Sequence, residues 1–447
     1  MNEAHGPAHQ IARYLAERSR PQTLRSIIEG MGFEEIHRTT VWRWIKSAQD
    51  AGLVEMQGDK KSSIWNASEE MRRLVLREQL SEPLAKKALV PYEEGFLEEY
   101  EPNKTSYLSK RDIERMHAQC PVGSAEFSKL IPRDQSLFFC GLPYASSSLE
   151  GNGYDLIATE NLLINGIVKE GASIQETTMV RNHYEAARFL IDNIHFPSQR
   201  NDVMTSMMDI KSIHGLLSSN LLKNPAMCGS LRRTPVRINQ SAYMPLSVPE
   251  SIERAFSIIC DKASKIEDPF EQAFFLTVHL PYLQPFEDCN KRTARVACNI
   301  PLLRRGVVPM SWMDVSHEDY TNGIMGIYEH NNTSLLAEVF VDGYLHSSSR
   351  FEQMKKEAIP NEVETRYRGA RKQLVRSIVL DNDTTLPDEV RRSDLEPFRV
   401  YVEQELGLLR AGNIGALRRN NLKEGDVEIW LRENEELDSA PVERERG

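Results

Sequence analysis

Through the first eighty residues, apolar positions recur at helical spacing and then give way to strand-like runs. Ile11, Tyr14 and Leu15 share one face, and Leu24, Ile27, Ile28 and Met31 share another. Gly30 and Gly32 break the second pattern. Thr39 and Thr40 open a third helix over residues 41–51, with Val41, Trp44, Ile45 and Ala48 on one side. Asp50-Ala51-Gly52 ends it. Residues 53–56 and Ser63-Ile64-Trp65 flank the polar turn Gly58-Asp59-Lys60-Lys61, which predicts a hairpin near 53–65.

Three helices and a two-stranded wing predict a winged helix-turn-helix over residues 1–80, whose third helix would enter a DNA major groove. Its outward positions are Arg38, Thr39, Thr40, Arg43, Lys46 and Ser47. The threonines suit phosphate or base edges, and Arg43 suits guanine. Lys60 and Lys61 at the wing tip suit phosphate, and Trp42 lies between the two faces. The same pattern also serves a small docking or dimerisation module, and the nearly balanced charge of the segment weakens the case for DNA.

Residues 81–134 read as a linker with some helix, carrying an acidic stretch at 93–101 and several prolines. Residues 135–350 hold the longest apolar helical patterns and predict a mainly α core. Residues 351–447 are highly charged, with helical patterns near 362–377 and 397–409 and a tail at 441–447 expected to be disordered.

Composition changes this picture little. Hydrophobic residues make up 40% and charged residues 27%, as in soluble globular proteins. The net charge of −10 disfavours indiscriminate binding to nucleic acid or acidic membranes, so any DNA contact must rest on one local face. The six cysteines form no CxxC pair and no zinc-like spacing. No leader pattern opens the chain and no apolar run approaches the ~18 residues of a membrane span. A cytoplasmic protein with reduced thiols and no membrane partner is expected.

The chemistry concentrates at Gln284-Pro285-Phe286-Glu287-Asp288-Cys289-Asn290-Lys291-Arg292-Thr293-Ala294-Arg295. A proline-containing loop runs into a helix, and helix starts offer free N–H groups and partial positive charge to phosphate. Lys291, Arg292 and Arg295 add cations. Asp288 is placed to hold a divalent metal that bridges two phosphates. Taken alone, the run reads either as a seat for a metal-bound polyphosphate or as a solvated basic helix start.

The run resembles the Fic-family signature: His-Pro-Phe, any residue, acidic, Gly-Asn, Gly or Lys, Arg, two residues, Arg. Pro285, Phe286, Asp288, Asn290, Lys291, Arg292 and Arg295 match in register. Val236-Arg237-Ile238 and Tyr243-Met244-Pro245 look like the family's flap, and residues 213–217 resemble its preceding helix. The resemblance covers residues 135–350 and implies a Fic-type helical domain with a short flap hairpin near 231–244. It also implies Mg²⁺ and ATP, or a related nucleotide, as cofactors, and a protein target bearing a Ser, Thr or Tyr hydroxyl. By the same resemblance, Asp288 binds metal, Asn290, Lys291 and Arg292 form the anion nest, and Arg295 grips the terminal phosphate.

Two positions depart from the family. Gln284 stands where the family's general-base histidine belongs, and an amide has no useful basicity at neutral pH; losing a base typically costs about 10²–10⁴ in rate. Its amide can still orient a substrate or the α-phosphate. His279, five residues upstream, is a remote surrogate, offset from Gln284 by more than a helical turn. Cys289 replaces a glycine that would permit positive φ. Upstream, Ser146-Ser147-Ser148-Leu149-Glu150-Gly151-Asn152 resembles the family's inhibitory helix, with Ser146 and Glu150 at i, i+4. The resemblance implies that Glu150 pairs with Arg295 and blocks the γ-phosphate seat. A serine-capped helix start with an acidic turn is the plainer reading of the same residues.

Two functions follow. One is a nucleotide-responsive, homodimeric DNA-binding regulator with impaired catalysis. The other is an active protein adenylyltransferase, or a related nucleotide transferase, restrained by its internal helix, with a toxin–antitoxin fusion as one form it could take.

Overall fold

The structure, a computed structural model, describes residues 6–18, 20–58, 63–123, 136–193, 206–357, 366–410 and 412–438. It divides into two compact units, Met1–Gln353 and Met354–Gly447.

The first unit opens with α1 (Pro7–Ala16), strand β1 (Gln22–Thr23), α2 (Leu24–Gly30) and α3 (Arg38–Asp50). Strands β2 (Val54–Gln57) and β3 (Ile64–Ala67) form the expected antiparallel hairpin, with Met56 opposite Trp65 and β1 added on the outer side of β3. Ile11, Leu15, Ile27, Val41, Ile45, Ala48, Val54 and Trp65 close a small separate core. The helical periodicities therefore turn the faces that they encode inward. Caps set the boundaries: the Thr23 side chain accepts from Ser26 N–H, and the His37 ring accepts from Thr39 N–H.

Helix α4 (Glu69–Leu80), capped by Ser68, leads into the main body. Strand β4 (Val90–Pro91), α5 (Glu94–Glu98) and α6 (Lys110–Gln119) follow. This stretch does not act as a linker. Leu97, Tyr100, Leu108 and Met116 are buried in the main core. Glu271, itself buried, accepts from Tyr107 N–H, Leu108 N–H, the Ser106 hydroxyl and the Tyr100 hydroxyl, which fastens residues 100–108 to a core helix. Anchors this widely spaced leave no helical period to read.

The main body comprises α7 (Ser136–Ser148), α8 (Leu156–Asn165), α9 (Ile174–Asn193), α10 (Met207–Ser218), strand β5 (Tyr243–Met244) and α11 (Pro249–Lys265). Then come α12 (Pro269–Leu283), α13 (Asn290–Ala297), α14 (Asn299–Arg304), α15 (His317–His330) and α16 (Ser334–Glu357). Helix α12 is buried on every side, so its mostly apolar sequence, with polar residues buried as well, carries almost no amphipathic signal.

The flap hairpin expected near 231–244 is not formed. Residues 231–242 contain no strand, and β5 pairs in parallel with β4, Val90 beside Tyr243. The approach to β5 is fastened by side chains instead: Glu329 accepts from Ser241 and Ala242 and pairs with Lys87 at 2.7 Å.

The second unit has its own core around α17 (Arg368–Asp381), α18 (Leu395–Arg410), α19 (Ile414–Arg419) and α20 (Glu424–Asp438). The charged tail at 441–447 and wing-tip Lys60 and Lys61 lie outside the described residues. No helix among the described residues is long and apolar enough to cross a membrane.

Candidate nucleotide site

Helix α12 ends because Pro285 disfavours right-handed helix at the residue before it. Gln284 turns left-handed instead, at φ 51°, ψ 59°. Phe286 then drives into the core, its ring stacked on His214 at 3.8 Å and edge-on to Phe256. Asn290 clamps the loop from below: its Oδ1 accepts from Phe286 N–H, and its Nδ2 donates to the Phe286 carbonyl, both at 2.9 Å. Cys289 forms the second left-handed turn, φ 60°, immediately before α13. The backbone here thus has the positive φ that a glycine would adopt freely; for a residue with a Cβ it costs about 1–2 kcal/mol.

Gln284 is half-buried and hydrogen-bonded at both ends of its amide. Nε2 donates to the Pro281 carbonyl and the Tyr328 hydroxyl, each at 2.9 Å, and Oε1 accepts from Asn290 at 2.8 Å. The side chain sutures the loop, so both of its functional ends are occupied. Burial pushes the Cys289 thiol up to about 12, which removes it as a nucleophile at neutral pH. His279 lies in an aromatic cluster with Phe96, Tyr100 and Phe275, its Nε2 on the Tyr107 hydroxyl at 2.8 Å. None of these hydrogen bonds and ring contacts reaches the loop.

Asp288 is exposed; its Oδ1 accepts from Cys289 N–H at 2.6 Å and its Oδ2 lies 3.3 Å from Arg292. Arg292 is nearly buried, and its Nη1 has no hydrogen-bond partner. Arg295 is fully buried. Its Nε donates to Ser146 Oγ at 2.9 Å, and its Nη2 to the Ser146 carbonyl at 2.9 Å and to Glu150 Oε1 at 2.7 Å. Beneath it lies the Tyr320 ring, 5.0 Å away. Glu150 Oε2 meets Lys291 at 3.1 Å. Burial alone would raise the Glu150 carboxyl, but Arg295 and Lys291 outweigh it and hold the group at about 2. Ser146, Glu150, Lys291 and Arg295, up to 149 residues apart, therefore form one cluster.

Arg232 was invisible to sequence reading. It is buried, and among the described residues no carboxylate pairs with it. Its guanidinium instead donates to the carbonyls of Gln284 at 2.6 Å, Thr234 at 2.9 Å and Leu246, while its amide donates to the Pro285 carbonyl at 2.9 Å. It staples residues 232–246 to the loop. An arginine in a loop gives no such signal, because every acceptor is a backbone oxygen set by tertiary folding.

Residues 205–302 match the Fic/DOC family model. The matched segment holds the whole loop and Arg295, but not Ser146 and Glu150. The chain is 31% identical over 168 residues to the protein adenylyltransferase fic-1 of Caenorhabditis elegans, covering 37% of this chain and 32% of that protein. It is 28% identical over 204 residues to the protein adenylyltransferase Fic of Nematostella vectensis, covering 45% of each. The chain thus spans under half the length of these relatives. Among solved structures, a Fic family protein from Desulfovibrio desulfuricans is similar at 17% identity and TM-score 0.47, over 72% of this chain and 92% of that one. Fic-1 of C. elegans is similar at 22% identity and TM-score 0.44, over 55% and 71%.

On α3, Arg38, Thr39, Arg43, Lys46 and Ser47 are exposed, Thr40 is half-buried, and Trp42 stands out to solvent at 48% exposure. Lys46 pairs with Asp50 at 3.3 Å, which blunts part of the positive face.

Proposed function

We propose that the Fic/DOC segment binds a metal-bound ATP and is built to move AMP onto a protein hydroxyl, restrained by Glu150 and slowed by Gln284. The observation that carries this reading is the buried cation set at the α13 start. Arg292 Nη1, in the first turn of α13, lacks a hydrogen-bond partner, and no side chain caps that helix start. Unsatisfied buried donors of this kind are costly unless an anion arrives. Asp288, the exposed carboxylate of the loop, would hold Mg²⁺, which commonly takes one or two carboxylates together with substrate phosphates. The metal, when bound, would neutralise phosphate charge.

Transfer joins the target oxygen to the α-phosphorus and breaks the bond to the bridging oxygen, so that pyrophosphate leaves. The hydroxyl proton must go to a base. Gln284 has neither basicity nor a spare amide end, so transfer by the native chain is slow. Glu150 occupies Arg295 from the other side, and a γ-phosphate must displace it. Calorimetry with Mg·ATP and incubation with α-labelled ATP test the reading. Arg295→Ala should weaken binding about tenfold or more, since a buried phosphate loses a charge-assisted partner. Unchanged affinity in that variant sinks the pose.

A second reading adds a role for the amino-terminal helices, favoured by the exposed basic face of α3. In it, Arg38, Thr39, Thr40, Arg43 and Lys46, with Lys60 and Lys61, contact duplex DNA as a dimer on paired half-sites. Affinity should then fall steeply with salt through counterion release. A random duplex library that enriches no sequence would leave α3 as a protein-docking face.

A further inference from the structure

Arg295 is held by more than a carboxylate. Its Nε bond goes to Ser146, and Ser146 Oγ has a second partner, His183 Nε2, at 2.9 Å. His183 stands on α9 and is fully buried. Its Nδ1 lies 2.8 Å from the Met179 carbonyl and 3.2 Å from Ser147 Oγ. A carbonyl only accepts, so Nδ1 carries the proton. Nε2 is then bare and accepts from the Ser146 hydroxyl. With its own hydrogen committed to His183, Ser146 Oγ turns its lone pairs to Arg295 Nε–H. The direction of every hydrogen in the chain follows from the one carbonyl at its end.

We propose that His183 is a positioning residue of the nucleotide site, which holds Arg295 in its withdrawn place through Ser146 by an uncharged contact independent of Glu150. The inference rests on the nucleotide reading for what Arg295 does once released. Burial, the largest influence, holds the ring at about 3, and neighbouring Arg292 and Arg295 push the same way, so the imidazole stays neutral in use. A neutral ring matters: a second proton on Nε2 would donate to Ser146 and turn its hydroxyl against the guanidinium. Removing Glu150 alone therefore leaves Arg295 bonded to Ser146 by Nε and Nη2. The restraint has two parts, one ionic and one not.

Calorimetry with Mg·ATP on the full chain separates them. Leucine at 183 removes the acceptor while keeping bulk, and glutamine returns an amide oxygen near the reach of Nε2. Glu150→Gly with His183→Leu should bind about tenfold more tightly than Glu150→Gly alone, the worth of a buried bond to a charged donor. Glu150→Gly with His183→Gln should fall back to the single variant. Equal affinities in all three overturn the proposal. Nitrogen-15 spectra supply a readout that needs no nucleotide and no His183 variant. The native ring should show a protonated Nδ1 and a bare Nε2, and Arg295 Nε–H should stay protected from exchange in Glu150→Gly. An Nε2–H or charged ring, or rapid exchange of that Nε–H, overturns the proposal. If no form binds Mg·ATP, the nucleotide reading falls, and the spectra still decide the His183 contact.

Discussion

Placing histidine at 284 in the Glu150→Gly background tests directly why the native chain should transfer slowly. The loop has to survive the change. Gln284 makes three side-chain hydrogen bonds, to Pro281, Tyr328 and Asn290, at 2.8–2.9 Å. Histidine gives up two of them, about 1 kcal/mol apiece. The left-handed backbone at φ 51° suits histidine at least as well as glutamine. A loss of roughly 2 kcal/mol is tolerable against the ~5–15 kcal/mol of a folded domain. The imidazole supplies a base worth about 10²–10⁴ in rate, or roughly 3–5 kcal/mol of barrier. Four proteins are incubated with α-labelled ATP and Mg²⁺, alone and with lysate, and label transfer is counted: native, Glu150→Gly, Gln284→His and the double variant. Thermal melts and Mg·ATP calorimetry accompany them. The native chain and Glu150→Gly should label weakly, and the double variant most. Labelling by the native chain or by Glu150→Gly as strong as that of the double variant refutes the argument, because the missing base would then not limit the rate. A double variant that binds Mg·ATP yet stays silent removes the transferase reading and leaves a binding module.

Three other outcomes are expected. Burial lowers His183, His214 and His279 to about 3, 4 and 3, against an ordinary 6.5. The unfolded chain takes up their protons first as pH falls, so the stability they carry is complete above pH ~6.5 and is lost on acidification toward their folded values, at about 1.4 kcal/mol each between pH 7.5 and 5.5. A urea midpoint unchanged across that window contradicts the burial of all three. Glu271→Ala removes the acceptor of the Tyr107 and Leu108 N–H groups and of the buried Tyr100 hydroxyl and should cost about 3 kcal/mol or more, read as a lower urea midpoint; a loss below ~1 kcal/mol would mean that residues 100–108 are held by something else. Alkylation of the native chain at pH 8, mapped by mass spectrometry, should mark half-buried Cys228 well before Cys289, and early labelling of Cys289 would reopen a role for its thiol.

Local order was legible in the sequence wherever a single element encodes its own geometry. The stripes of α1, α2 and α3 and the polar turn after residue 57 specify the amino-terminal helices and hairpin, because period and turn chemistry act over a few residues. The run from Gln284 to Arg295 could be read as a loop feeding a cationic helix start, since proline, the anchoring phenylalanine and the basic residues are contiguous. The i, i+4 spacing of Ser146 and Glu150 suggested one helical face, but α7 ends at Ser148 and Glu150 follows in a turn. Tertiary structure alone decided what those faces meet. His183 reaches Ser146 across 37 positions, and Arg295 reaches it across 149. Only packing of α7, α9 and α13 gives those side chains partners. The region expected as a flap hairpin goes to β4 and to Glu329 because a two-residue strand has too few ladder bonds to fix its own partner, and buried side chains choose for it. Gln284 shows the same division. Its identity tells that a base is missing, but only the fold shows that its amide is already spent on Pro281, Tyr328 and Asn290, since two of those partners come from other elements that packing brings alongside.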